Sequence, residues 1–264
     1  MPIVNGIHYS LHRSDANNRP PLILIHGAGG SLLSWHPYQR HLQGETVYTL
    51  DLPGHSGSKT EVRDSINAYA EDVIRLMDVN EIPFAVIAGH SMGSAIVLTL
   101  ALEHPQRVAG LILVGGGAKL RVGPSIYEAA SDPATFETAV EMINTYSFHP
   151  DAPKEWLERS KQNMLQIQPS VLLGDLLACN HFDVVDQLPR IHQPALILCG
   201  SLDVMTPPKF SRLLHEQLPH SDLYIIKDAG HMLMLEQPEL VSNLMKQFMD
   251  KLPPPTRPTP DPSH

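Results

Sequence analysis

Apolar residues along this chain come in two rhythms. Short, largely apolar runs at residues 22–25, 46–50, 84–88, 111–114, 195–199 and 223–226 have the length of strands. They show little polar alternation, which suits strands buried on both faces of a sheet. Between them lie longer stretches with helical spacing or strong helix formers. Ala70, Val73, Ile74 and Met77 share one face of a helix predicted over 67–79, and SAIVLTLALEH stops just before Pro105. Further helices are expected over 31–42, 208–217 and 238–251. Residues 3–12 read as a strand pair turning at Asn5-Gly6. Strand and helix in alternation imply βαβ units and a mostly parallel sheet flanked by helices, the α/β class. Right-handed crossovers then bring ligands to the carboxyl ends of the strands.

The alternation stops between residues 118 and 186. Helical pattern fills 134–145, 154–168 and 170–180, with no strand run among them. This stretch is expected to form a helical cap inserted over the carboxyl edge of the sheet. Residues 1–117 and 187–252 then make the core. The tail, 253–264, has five prolines in its first eight residues and is expected to be disordered.

Composition narrows the function classes. A chain of 264 residues, 42% hydrophobic and 18% charged, is long enough to bury a large core. Its net charge of -9 comes from scattered acidic residues, and no basic stripe exists to neutralise phosphates. Nucleic acid is therefore excluded as a partner. No apolar run reaches membrane-spanning length, so no membrane insertion is expected. The start, MPIVNGIHYS, lacks a basic segment followed by a long apolar one, which points to a cytoplasmic protein. Cys179 and Cys199 lack metal-ligand spacing, and two cysteines make no disulfide framework. Nothing in the pattern speaks to oligomeric state.

Candidate chemistry clusters at predicted strand ends. Gly89-His90-Ser91-Met92-Gly93 lies between an apolar strand and an apolar helix. A serine on so sharp a turn is held in strained backbone with its hydroxyl above the sheet edge. Side chains two residues to either side would collide, so both positions need glycine. The following helix turns the positive end of its dipole toward the serine. Serine needs a base, and the base an orienting acid. The chain offers Ser91, Asp203 and His231 in that order, each just past a predicted strand. Asp203 also reads as a helix N-cap beside Thr206 and Pro207. The loop after Val114, GGGAKL, has no carboxylate to offer in its place. Asp228 is read as shaping the His231 loop.

Five motifs together resemble the α/β-hydrolase superfamily, in its capped serine carboxylesterase branch: HGAGG at 26–30, DLPGHSGS at 51–58, GHSMG at 89–93, GSLD at 200–203 and GH at 230–231. The resemblance spans residues 3–252. It implies Ser91 as nucleophile, Asp203 as triad acid and His231 as general base. It implies an oxyanion hole from the backbone N–H groups of Ala28 and Met92. His26 and His90 match positions that brace loops rather than move protons. Ser56 departs from the family turn, which carries a second glycine there. The expected reaction is hydrolysis of a small-molecule carboxylic ester through an acyl-enzyme, with no metal or organic cofactor.

For the acyl group, short to medium in length, the expected pocket residues are Gly27, Trp35, Tyr127, Tyr146, Phe182, Val204 and Met232. Ile126, Met142, Ile143, Met164 and Leu172 are further cap residues that could reach it. Ser91 argues against epoxide or haloalkane chemistry, which needs a carboxylate nucleophile. No arginine cluster marks a site for an acidic substrate. Lactone or C–C bond hydrolysis would use the same triad, with Arg121 at the cap entrance as the candidate partner of a substrate carboxylate. A ligand-binding receptor on the same scaffold is the alternative outside enzymes, and the intact Ser91, Asp203 and His231 set counts against it.

Overall fold

The computed structural model describes residues 2–14, 19–59 and 61–252, so the proline-rich tail lies outside the described residues. The strands are β1 (Ile3–Val4), β2 (Ile7–His12), β3 (Leu22–Ile25), β4 (Val47–Leu50), β5 (Ala85–His90), β6 (Val108–Val114), β7 (Ala195–Gly200) and β8 (Ser221–Ile226). The helices are α1 (Pro37–Arg40), α2 (Ile66–Val79), α3 (Met92–Glu103), α4 (Pro124–Ser131), α5 (Phe136–Ser147), α6 (Lys154–Met164), α7 (Pro169–His181), α8 (Pro208–Gln217), α9 (Leu233–Glu236) and α10 (Pro238–Lys251). Among the described residues the strands form one eight-stranded sheet in the order β1-β2-β4-β3-β5-β6-β7-β8. β2 pairs antiparallel with β1 and β4, and the pairs from β4 to β8 are parallel. The first hairpin turns at Asn5 (φ 48°) and Gly6 (φ 80°), two successive residues in the left-handed region that twist the strands correctly.

Alternate residues of the central strands feed two apolar layers. Ile23, Ile25, Ile87, Leu111 and Leu113 pack with α2 and α3. Leu22, Leu24, Val86, Ala88, Ile112 and Val114 pack with α10. Covering both faces is what makes these strands read as continuous apolar runs. α3 is buried on every side from Met92 to Ala101, between the sheet, α2 and α7.

From β6 to β7 the chain passes through α4, α5, α6 and α7. These helices bury an apolar cluster of their own around Val140, Ile143, Met164 and Leu172. The two ends of the segment meet. Leu120 N donates to Phe182 O at 3.3 Å, Val184 N donates to Ala118 O at 2.8 Å, and Lys119 pairs with Asp183 at 2.6 Å.

Three local expectations are corrected. Residues 31–42 do not form one helix. Ser31 caps a short 3-10 turn, Leu32–Ser34, Trp35 and His36 are extended, and one α-turn follows from Pro37. Proline drives the residue before it out of the helical region, and His36 accordingly sits at φ -64°, ψ 151°. α4 is an additional helix, hidden because it opens at Pro124 and buries only Ile126 and Ala130. β5 runs two residues beyond the expected stop at Ala88, because Gly89 and His90 pair with Leu113 and Val114 of β6. No helix among the described residues is long and apolar enough to cross a membrane.

Candidate active site

β5 ends at His90 and α3 begins at Met92, which leaves Ser91 alone in the turn at φ 54°, ψ -117°. That region is unfavourable for any residue with a Cβ. It is held by the sheet on one side, where Ser91 N donates to Val114 O at 2.9 Å, and by α3 on the other. The flanking glycines are required by backbone approach. A Cβ on Gly89 would lie 2.1 Å from Gly93 O, and one on Gly93 would lie 2.5 Å from Ile25 O. Gly27 also sits tight, since its Cβ would come within 3.0 Å of the Ser91 side chain. Ser91 is therefore fixed by steric necessity at the N-terminus of a 12-residue helix, facing the positive end of its dipole.

Asp203 follows β7 and His231 follows β8. His231 Nδ1 lies 2.8 Å from Asp203 Oδ2, with both side chains buried. The other carboxylate oxygen, Oδ1, accepts from Met205 N at 2.9 Å and Thr206 N at 2.8 Å. The turn-capping role and the histidine-orienting role are thus filled by one side chain. Thr206 Oγ1 adds contacts to Asp203 Oδ2 and Gly115 O at 2.8 Å each, and lies 3.1 Å from His231 Nδ1. Burial would raise the Asp203 carboxyl. The facing His231, its hydrogen bond and the Thr206 donors together outweigh burial and hold it below the usual carboxylate range. His231 Nε2 has no hydrogen-bond partner among the described residues, and His231 lines the cavity.

The remaining histidines of the motifs brace loops. His26 Nε2 accepts from Leu52 N at 3.0 Å, which makes Nδ1 the donor to Gly27 O at 2.8 Å. His90 Nε2 donates to His231 O at 3.0 Å. Burial, reinforced by the charge of His55, pushes His26 down to about 4, and burial with the charge of His231 pushes His90 down to about 3. Both stay neutral near pH 7. Asp228 lies at φ 53° and its N–H donates to Ser201 Oγ at 3.0 Å, so it shapes the His231 loop.

Three buried or half-buried carboxylates that sequence reading passed over position these loops. Asp51 accepts from Leu32 N at 2.7 Å and contacts His8 Nδ1 at 2.6 Å. Asp175, on α7, reaches down to the core, where it accepts from Gly29 N at 2.8 Å and from Tyr69 Oη, and pairs with His55 Nε2 at 2.9 Å. Glu236 accepts from Gly230 N at 2.7 Å and His149 N at 3.3 Å, bracing the residue before His231. Asp51 stands inside a quoted motif, but nothing local in the sequence marks Asp175 or Glu236, whose partners lie in other elements.

Ser91 and His231 open onto one cavity of about 1070 Å³ between the sheet's carboxyl edge and α4–α7. Gly27, Ala28, Trp35, Tyr146, Val204 and Met232 also line it, as do Ile126, Ile143 and Met164. Tyr127 and Phe182 do not. Phe182 is buried in the apolar layer beneath α3, and Tyr127 packs against the cluster within α4–α7. Met142 and Leu172 belong to that cluster as well. The Met92 side chain is fully buried. Cys179 borders the cavity, but burial and the nearby Asp175 raise its thiol well above its ordinary value. Among the described residues no group of three His, Cys, Asp or Glu side chains is placed to hold a metal ion.

A family model described as the alpha/beta hydrolase fold matches residues 20–238. A Caulobacter vibrioides protein, RutD, named as a carbamate hydrolase, is 28% identical over 94% of this chain and 96% of its own length. A Comamonas testosteroni protein named as a 2-hydroxy-6-oxononadienedioate/2-hydroxy-6-oxononatrienedioate hydrolase is 26% identical over 92% of each chain. The solved structure of a thermophilic esterase is 30% identical, with a TM-score of 0.81 over 95% of this chain and 96% of that one.

Proposed function

This chain belongs to the alpha/beta hydrolase fold family, and from that premise we propose that it is a serine hydrolase cleaving carboxylic esters of short to medium acyl length. The observation that carries the reading is the strained Ser91 turn opening onto the same cavity as a His231 whose Nδ1 is held by Asp203 and whose Nε2 is left over. The likeness to a solved esterase supports it.

In this mechanism His231 Nε2 takes the Ser91 proton as Oγ attacks the ester carbonyl. Asp203 keeps the imidazole in the Nδ1–H tautomer and balances its positive charge. The backbone N–H groups of Ala28 and Met92 receive the oxyanion, aided by the α3 dipole; each such donor is worth roughly 3–4 kcal/mol where it has been removed in other enzymes. His231 then protonates the leaving alcohol, activates water, and the acyl-enzyme is hydrolysed to the acid. The α4–α7 segment acts as a cap that keeps the acyl chain out of bulk water. No metal or organic cofactor enters these steps.

Turnover of 4-nitrophenyl esters from acetyl to palmitoyl, by wild type and Ser91→Ala, tests this. The expected result is activity at short to medium lengths that falls in the variant by at least on the order of 10³-fold. A variant as active as wild type removes Ser91 from the chemistry. C–C bond hydrolysis of a vinylogous diketone is the second reading, favoured by the Comamonas relative. Turnover of a dienone, with every simple ester untouched, would select it.

A further inference from the structure

The cavity wall is charged in the opposite sense to the protein. The chain has 28 acidic and 19 basic residues other than histidine. Yet Arg40, Arg121 and Arg159 line the cavity, and no aspartate or glutamate among the described residues does. Arg121 is spent on structure: its Nη1 donates to the Leu120, Asn180 and Phe182 carbonyls, the longer two at 2.8 Å and 3.3 Å, where the ends of α4–α7 meet. Arg40 is different. It is half-buried at the end of α1, its Nε donates to Trp35 O at 3.1 Å, and no carboxylate among the described residues pairs with it. Trp35 lines the same wall, and its buried indole N–H has no acceptor among the described residues. Arg159, on α6 across the cavity, is exposed and also pairs with no carboxylate among the described residues.

Withdrawing a guanidinium from water without a counter-charge is unfavourable. Its planar fork suits a carboxylate, which accepts two parallel N–H bonds. We infer that the substrate carries a carboxylate remote from the bond that is cleaved, and that this carboxylate docks on Arg40 beside Trp35, with Arg159 adding to the attraction. The inference rests on the serine hydrolase reading for the bond broken, but not for the binding of the anion. It runs against the expectation, drawn from the linear sequence, that no arginine cluster marks a site for an acidic substrate.

The test uses matched pairs that differ only in charge. On the acyl side these are mono-4-nitrophenyl adipate and the 4-nitrophenyl ester of adipic acid monoamide. On the alcohol side they are 4-acetoxybenzoate and 4-acetoxybenzamide. Wild type should prefer the acid over the amide in one pair by about tenfold or more in kcat/KM, mostly through KM, in line with a charge-assisted hydrogen bond. Arg40→Gln should bring that ratio close to one, and Arg40→Lys should restore part of it. The inference is overturned if wild type has no acid preference in either pair, or if Arg40→Gln lowers acid and amide equally, as a merely structural arginine would. If wild type cleaves none of the four esters, the carboxylic-ester reading fails, the C–C bond reading remains, and thermal unfolding decides the subsite alone. Millimolar adipate should then raise the Tm of wild type more than adipamide does, and should lose that advantage in Arg40→Gln. Equal effects in the two proteins would overturn the subsite as well.

Discussion

His231 with Asp203 and His55 with Asp175 are nearly the same pair by distance, 2.8 Å and 2.9 Å, and all four side chains are buried. The difference lies in the second ring nitrogen. In His55 it is taken by Pro53 O at 3.0 Å, so the imidazole is saturated, and His55 does not line the cavity that Ser91 lines. In His231 the equivalent atom has no partner among the described residues, and His231 lines the same cavity as Ser91. Burial and a carboxylate do not by themselves make a base. The base proposed for this mechanism also needs a ring nitrogen left over beside the cavity. Burial alone would lower the His55 imidazole, but the facing Asp175 carboxylate and its hydrogen bond, with Pro53 O and the charge of Asp51, carry it above its ordinary value. That pair is an internal strut between α7 and the loop after β4.

The sharpest way to break the comparison is to neutralise each carboxylate. Asp203→Asn should cut kcat by on the order of 10⁴-fold on a 4-nitrophenyl ester, because the amide favours the wrong imidazole tautomer. Retained activity would move Asp203 out of the mechanism. Asp175→Ala should show itself in stability, with a loss of about 3–5 kcal/mol in urea unfolding, since it strands a buried His55 and the Gly29 and Tyr69 donors. A loss under about 1 kcal/mol would mean that the strut carries nothing.

The pH dependence of stability separates the pairs further. A histidine raised above its unfolded value contributes stability that is fully present below about pH 6.5 and is lost as pH rises through the folded value. His26 and His90, held low, act in the opposite sense near pH 6.5, so the His55 contribution is read as a difference: from pH 6.5 toward pH 9 the wild-type Tm should fall relative to that of His55→Gln. Asp203, held low, works in the opposite sense: its contribution is present above about pH 3.9 and is lost as pH falls through the folded value. A Tm difference between wild type and His55→Gln that stays constant from pH 6.5 to 9 would contradict the His55 assignment. The smallest effect concerns the residue next to His55. Ser56 sits at φ 44°, the left-handed geometry that the family glycine adopts freely, so Ser56→Gly should stabilise by about 0.5–1 kcal/mol.

What the sequence makes legible follows from the range of the interaction involved. The Ser91 turn, the strands and α2, α8 and α10 are written locally, in glycine spacing, apolar runs and N-terminal prolines. The order of Ser91, Asp203 and His231 along the chain also survives, because each stands at a strand end. Arg40 and Arg159 come from elements 119 residues apart in the numbering, and only folding gives their wall its common sign. Asp175 is no clearer in sequence, since its partners Gly29, His55 and Tyr69 all lie more than 100 residues away. Phe182 and Tyr127 were expected in the pocket because an aromatic residue fits a pocket wall and a packed core equally well, and sequence carries no sign of which side of a helix end faces the cavity.

The meeting of the two ends of α4–α7 has a consequence for how this protein can change. Ala118 and Val184 are joined by a hydrogen bond, and Lys119 pairs with Asp183. Whatever chain runs between these points closes a loop whose span is already fixed by β6 and β7. Loop-closure entropy grows only with the logarithm of length, so the segment can be lengthened, shortened or transplanted from another chain at little entropic cost. Such an exchange must reproduce the tethers to the core: the acceptor at position 175, and the bonds from Ser147 O to Met232 N and from His149 N to Glu236. Under the proposed mechanism the bond-breaking groups stay at the strand ends, while part of the cavity wall above them is carried by an interchangeable segment.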